Sequence, residues 1–151
     1  MKILFDLQEY LADKPLGELA GDKIICPCGE VPPALIVEQV EDAKVIRVTN
    51  RKSKDAGVEI FLSSIGGISA GDRFTLVGRQ QLTSHGARIA LSTSINRDKE
   101  LAHYEPHNNL YSLSFSLDDQ ACQSVFLLVT KTGAFFSSMD FFVDGILIVH
   151  H

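Results

Sequence analysis

Short runs in which apolar and polar residues alternate recur along this chain, each closed by Gly, Pro, Asn or Asp. The clearest is LYSLSFSL, where Leu113, Phe115 and Leu117 alternate with Ser112, Ser114 and Ser116. An extended segment of that pattern has one apolar face and one hydroxylated face. In DRFTLVGRQQ, Phe74 and Leu76 fall on one side and Arg73, Thr75, Arg79 and Gln81 on the other; in ARIALSTS, Ile89 and Leu91 oppose Arg88, Ser92 and Ser94. Strands are expected at about 2–7, 22–26, 34–40, 44–49, 57–63, 72–81, 86–95, 110–117, 123–131 and 139–149. Turn pairs at Gly66-Gly67, Gly71-Asp72, Asn108-Asn109 and Asp118-Asp119 set a hairpin rhythm. The expectation is an all-β sandwich in one domain over 1–151, with no internal repeat and no linker.

At the N-terminus, Leu4, Leu7 and Leu11 keep helical spacing while Ile3, Phe5 and Leu7 keep strand spacing. A strand running into one helical turn satisfies both patterns. The polar residues of 72–81, 86–95 and 110–117 would form one hydrogen-bonding shelf for a polyhydroxylated ligand if those strands were neighbours in one sheet. From periodicity alone, an ordinary solvated face reads the same way.

Composition narrows the classes. The chain has 151 residues, 45% hydrophobic and 22% charged, enough for one sizeable core. A net charge of -5 argues against a nucleic-acid partner, which would require a basic surplus on one face. The apolar run around Phe141 to Val149 contains Asp144 and is too short to cross a bilayer, so no membrane partner is expected. No apolar leader follows Met1. The sequence fits an extracellular or cell-surface piece of a longer secreted protein, and His150-His151 reads either as native or as the remnant of a purification tag.

Cys26, Cys28 and Cys122 leave at least one thiol free. Cys26 and Cys28 are too close in sequence to favour a mutual bridge. They lack the second Cys or His pair that zinc takes, unless the terminal histidines fold back, so they read as small buried residues. A catalytic constellation does not assemble in the pattern. His85, His103 and His107 read as loop residues, since Pro106 breaks the helix that would align the last two. Asp118 and Asp119 read as a turn, and no serine sits in a nucleophile elbow. Asp140 and Asp144 remain as a carboxylate pair that a glycosidase would need, without further support.

Taken in order, VIRVTNRKSKDAGVEIFL, AGDRFTLVGRQQ, YSLSFSL and DFFVDGILI resemble the carbohydrate-binding modules of the family 4, 9 and 22 group, and family 22 most. The resemblance runs from about Phe5 to Ile148 and implies a jelly-roll β-sandwich of two antiparallel sheets, appended to a glycoside hydrolase such as a xylanase. It implies a non-catalytic module that binds xylan or β-glucan and partners the catalytic domain of a parent chain. Asn50, Arg51 and Gly57 match the family's strand-ending segment, whereas Lys54, Asp55 and Ala56 stand where a Trp is expected, and the chain has no Trp. Tyr104 lies where similar modules place a sugar-stacking Tyr, and Asp140 near their ligand-bonding carboxylate. With Arg79, Gln81 and Arg88 from the polar faces and Arg51 from the loop, these form the expected carbohydrate site. The resemblance also implies a structural Ca2+, with Asp144 as its best single ligand; the usual second acid is replaced by Gly145. Because a large ring supplies much of the contact with a pyranose face, the missing Trp keeps open a second reading. That reading is a structural or adhesive sandwich of a multidomain cell-surface protein without sugar binding.

Overall fold

The computed structural model describes the backbone of residues 1–22, 24–28, 34–49, 57–65, 69–79, 87–93, 100–104, 110–116, 124–131 and 141–151. Side chains are described mainly within 1–77 and 141–151, with Ser112, Ser114 and Ser116. The strands are β1 (Lys2–Asp6), β2 (Gly17–Glu18), β3 (Ile25–Cys28), β4 (Ala34–Val40), β5 (Ala43–Thr49), β6 (Gly57–Phe61), β7 (Arg73–Arg79), β8 (Ala87–Thr93), β9 (Glu100–Tyr104), β10 (Leu110–Ser116), β11 (Ser124–Lys131) and β12 (Phe141–His150). One α-helix, α1 (Leu7–Leu11), follows β1 directly.

The strands form two antiparallel sheets. The larger has the order β10-β7-β12-β5-β4-β2, with β1 also on β12; the smaller has the order β3-β6-β11-β8-β9. Apolar residues from both sheets close one core. Ile25, Val58 and Ile60 from the smaller sheet meet Leu35, Val37, Ile46, Val48, Phe74, Leu76, Val143, Ile146 and Ile148 from the larger, with Leu7 and Leu11 of α1 fully buried beside them. The expected all-β sandwich is therefore the observed architecture.

Local chemistry explains the N-terminal turn. Asp6 ends β1 in an extended conformation and accepts a hydrogen bond from Gln8 N at 3.0 Å, an N-cap that satisfies one of the helix's orphan donors. At the other end, Lys44 Nζ of β5 donates to the carbonyl oxygens of Leu11, Ala12 and Lys14, and Gln8 Nε2 donates to Lys44 O. The amphipathic turn is thus tied to the sheet at both ends while Leu7 and Leu11 fill the core.

Strand β12 pairs with β5 through Phe141 to Val143, with β7 from Asp144 onward, and with β1 through Leu147 to His150. The β12–β7 register shifts between Asp144 and Leu147, where Gly145 has φ +61°. A glycine suits this left-handed position in a bulge. Gly145, where an acidic ligand was expected, therefore has a backbone reason to be there.

Parts of the chain differ from the sequence expectation: the strand expected at 22–26 runs instead from Ile25 to Cys28, and that expected at 57–63 ends at Phe61, with a 3-10 turn over Leu62–Ser64. Strand β2 was not anticipated, since two residues carry no period. His103, read as a loop residue, belongs with Tyr104 to β9, which pairs with β8. His85 and His107 lie outside the described residues.

Candidate functional site

The β7–β10 ladder brings the two polar patterns together. Arg73 pairs with Ser116, Thr75 with Ser114, Val77 with Ser112 and Arg79 with Leu110. In an antiparallel pair, residues directly opposite share a face. Phe74 and Leu76 are fully buried on the inner side, while Arg73, Ser112, Ser114 and Ser116 are exposed. Thr75 Oγ1 lies 3.1 Å from Ser114 Oγ and 2.6 Å from His151 Nε2, so one hydroxyl links strand β10 to the chain after β12. The backbone of His151 is held too, its N–H donating to Arg73 O at 3.0 Å.

Above this ladder lies an open depression of about 490 Å³ lined by Arg73, Phe74, Ser114, Ser116 and His151. It falls within the size range of small-ligand sites. Its described polar lining is rich in donors and contains no carboxylate. The nearest acid in sequence, Asp72, is engaged elsewhere: its Oδ2 lies 3.2 Å from His150 Nε2 and accepts from Ser69 N at 2.8 Å. His150 in turn stacks on Phe74, ring centroids 5.2 Å apart. The paired hydroxyl and imidazole of Thr75 and His151 resemble a nucleophile and a base, but among the described residues no acid orients His151, as such chemistry requires. The arrangement is suited to hydrogen bonding and anion contact.

Of the expected site residues, Arg79, Arg88 and Tyr104 have a described backbone, and those three do not share one sheet face. Arg51, Gln81 and Asp140 lie outside the described residues. Arg79 stands at the end of β7 on the face of Arg73 and Thr75, opposite Leu110 on one side and Asp144 on the other. Arg88 stands on β8, opposite Thr130, in the smaller sheet. The single shelf expected from three polar strands is therefore split: β7 and β10 are neighbours, and β8 is not. Tyr104 pairs with Ile89. Following the register through Val129 of β11, that position belongs to the same face as Ile60 and Ile25, both buried in the core. Arg88 has the opposite parity, so Tyr104 and Arg88 occupy opposite faces of one sheet. Alternation assigns a residue to a side of its own strand, whereas which strands become neighbours depends on long-range pairing.

Asp144, expected to hold Ca2+, is the ladder partner of Arg79. Among the described residues no group of three or more His, Cys, Asp or Glu is placed to hold a metal ion, so the calcium expectation has no described donor set. Cys26 is a free thiol that donates to Asp22 O at 2.8 Å, and it is half-buried rather than fully enclosed. Arg73, Ser114, Ser116 and His151 are the residues the expected site lacked. The alternation in LYSLSFSL and DRFTLV already marked the first three; His151 carried no such signal.

No protein-family model and no curated protein matches the sequence. Among solved structures, the chain is similar to the CBM22-1–GH10 modules of the N-terminal endo-1,4-β-D-xylanase 10B of Clostridium thermocellum, complexed with xylohexaose. That match has a TM-score of 0.61 and 14% identity, covering 89% of this chain and 29% of that one. A second match is the CBM22-2 xylan-binding domain of Paenibacillus barcinonensis Xyn10C, with a TM-score of 0.58 and 8% identity over 98% of this chain and 99% of that one. The fold is that of the family 22 carbohydrate-binding modules. A cyclase from Fischerella sp. is also similar, with a TM-score of 0.51 and 13% identity over 84% of each chain. The shared fold accounts for the sandwich, while the role of the chain has to be argued from its surface.

Proposed function

We propose that the chain is a non-catalytic carbohydrate-binding module that holds a parent polysaccharide-degrading enzyme on plant cell-wall glycan, xylan or β-glucan, outside the cell. The observation that carries this reading is the fold shared, over nearly the whole chain, with xylan-binding modules. The hydroxyl-lined β7–β10 face supports it, because a rigid row of Ser and Thr presents donors and acceptors at strand spacing to sugar hydroxyls. The mechanism is tethering: a bound module raises the concentration of the linked enzyme at an insoluble substrate without making or breaking a bond. Affinity is expected in the range of roughly tens of micromolar to millimolar, since solvent-exposed hydroxyls exchange one set of hydrogen bonds for another.

A second reading, a structural or adhesive sandwich without a sugar site, is favoured by one specific observation. The chain has no Trp, and Phe74, the phenylalanine among the described lining residues of the depression, is fully buried. Affinity electrophoresis in gels containing xylan, mixed-linkage glucan or mannan separates the two. Retardation by xylan or glucan that is lost in Thr75→Val/Ser114→Ala supports the module on this face. Migration unchanged by every glycan supports the structural sandwich.

A further inference from the structure

The arginine at the mouth of the depression distinguishes it from a plain hydroxylated strand face. Arg73 is exposed, and among the described residues no carboxylate lies within ion-pair distance of it. Arg47, by contrast, is paired with Glu38 at 2.5 Å. Asp72, the acid beside Arg73 in sequence, is held by His150 and by the Ser69 N–H on its own turn. Ser114, Ser116 and His151, whose ring is bonded to Thr75, border the remaining space, and no acid is among its described lining residues. A cation with five N–H donors thus stands next to a row of hydroxyls, in a chain whose net charge is -5. The complementary ligand is anionic, planar at its charge and hydroxylated elsewhere. A guanidinium binds a carboxylate through two parallel hydrogen bonds, a geometry that a neutral sugar cannot use.

Resting on the carbohydrate-binding reading, we propose that the β7–β10 depression recognises a hexuronic acid unit of a glycan, with Arg73 on the carboxylate and the Ser114–Thr75–Ser116 row on the ring hydroxyls. The uronate comes either from a decorated xylan or from a pectic chain, and both present the same carboxylated pyranose. Neutral stretches of the same polymer meet only the hydroxyl row. Exposure of the site to water makes the ionic contact sensitive to salt.

The test compares retention of the chain and of Arg73→Gln in affinity gels containing four probes. These are glucuronoxylan, the same glucuronoxylan with its carboxyl groups reduced to alcohols, neutral arabinoxylan and polygalacturonate. Reduction of the polymer leaves the protein untouched, so the comparison does not depend on the variant's folding. Retention on glucuronoxylan about five-fold stronger than on its reduced form, weakened by salt and lost in Arg73→Gln, supports the inference. Retention on polygalacturonate with the same loss in Arg73→Gln supports it with a pectic source. Equal retention on native and reduced glucuronoxylan overturns the uronate inference and leaves the carbohydrate reading standing. Absence of retention on all four probes overturns both.

Discussion

Lys44 on β5 donates its ammonium to the carbonyl oxygen of Lys14 at 2.7 Å, closing the exit of α1 from a different element. The same nitrogen reaches Leu11 O at 3.2 Å, which also accepts from Lys14 N at 3.0 Å, and Ala12 O at 3.1 Å, so one side chain gathers three carbonyls at and just beyond the helix end. The positive charge at a helix C-terminus adds a favourable interaction with its dipole. Lys44→Met keeps much of the stem and removes the donors. It is expected to lower stability by about 1–2 kcal/mol in urea titrations, with α1 losing amide protection first in hydrogen exchange.

Much of this architecture was legible in the alternation. The strand expected at 34–40 is Ala34–Val40, and that expected at 110–117 is Leu110–Ser116. The conflicting periods of Ile3-Phe5-Leu7 and Leu4-Leu7-Leu11 resolve as a strand meeting a helix, as their overlap implied. The neighbours were not legible. Arg88 and Arg79 carry similar local patterns, yet one stands in each sheet, because pairing is decided by contacts distant in sequence. Strand β9 was hidden for a different reason: Glu100 and His103 give Glu-Leu-Ala-His-Tyr no clean alternation, and Pro106 follows closely. His151 entered the candidate face only through its bond to Thr75, a contact spanning 76 positions.

The acid and alkaline limbs of the stability curve should both involve Tyr10 and Asp22. Tyr10 donates its hydroxyl to Asp22 Oδ2, and Asp22 Oδ1 accepts from Ile24 N at 2.7 Å and Ile25 N at 3.1 Å. Burial alone would raise the Asp22 carboxyl, but the Tyr10 hydroxyl, the two N–H groups and Lys14 together hold it below the ordinary carboxylate value. Its contribution is therefore present above about pH 4 and lost as pH falls through the lowered folded value. Tyr10 is shifted the other way: burial first, then the bond to Asp22, pushes the phenol above its ordinary value. Its contribution is full below about pH 10 and is lost as pH rises through the folded value. Asp22→Asn should abolish the acid limb and weaken the alkaline one, and Tyr10→Phe should abolish the alkaline limb and weaken the acid one. Because the Asp22 side chain is 37% exposed, each effect should stay under about 1 kcal/mol in urea titrations at pH 3, 7 and 10.5.

Neighbouring positions on β7 should differ sharply in their tolerance of substitution. Leu76 is fully buried and pairs with Leu113 and Ile148, whereas Val77 is 39% exposed on the hydroxylated side. Leu76→Ala removes three core carbons and leaves a cavity, at an expected cost of about 2–5 kcal/mol. Val77→Thr changes a surface contact and should fall within about 0.5 kcal/mol of the parent. Reversal of that order in thermal unfolding would show that the strand's faces are exchanged, and with them the assignment of Thr75 and Arg73 to the ligand side.

The turn between β4 and β5 carries a strained residue whose relief should stabilise the chain. Val40 pairs with Ala43, so the hairpin turns through only Glu41 and Asp42, and Glu41 has φ +54°. Positive φ at the first central position suits the twist of a tight hairpin but crowds the Cβ of a residue such as Glu. The turn is otherwise held by Gln39 Nε2, which donates to Glu41 O at 2.9 Å, a backbone contact that survives replacement of the Glu41 side chain. Glu41→Gly removes the crowding but gives the unfolded chain more freedom; Glu41→Asn tolerates the left-handed region with less of that entropic cost. Both are expected to stabilise, Asn by about 0.5–1 kcal/mol and Gly by less, with Glu41→Ala neutral or destabilising because its Cβ remains. Differential scanning calorimetry of the three variants checks the order. A gain for Ala equal to that for Asn would trace the effect to loss of the Glu41 charge beside Asp42 and not to the backbone.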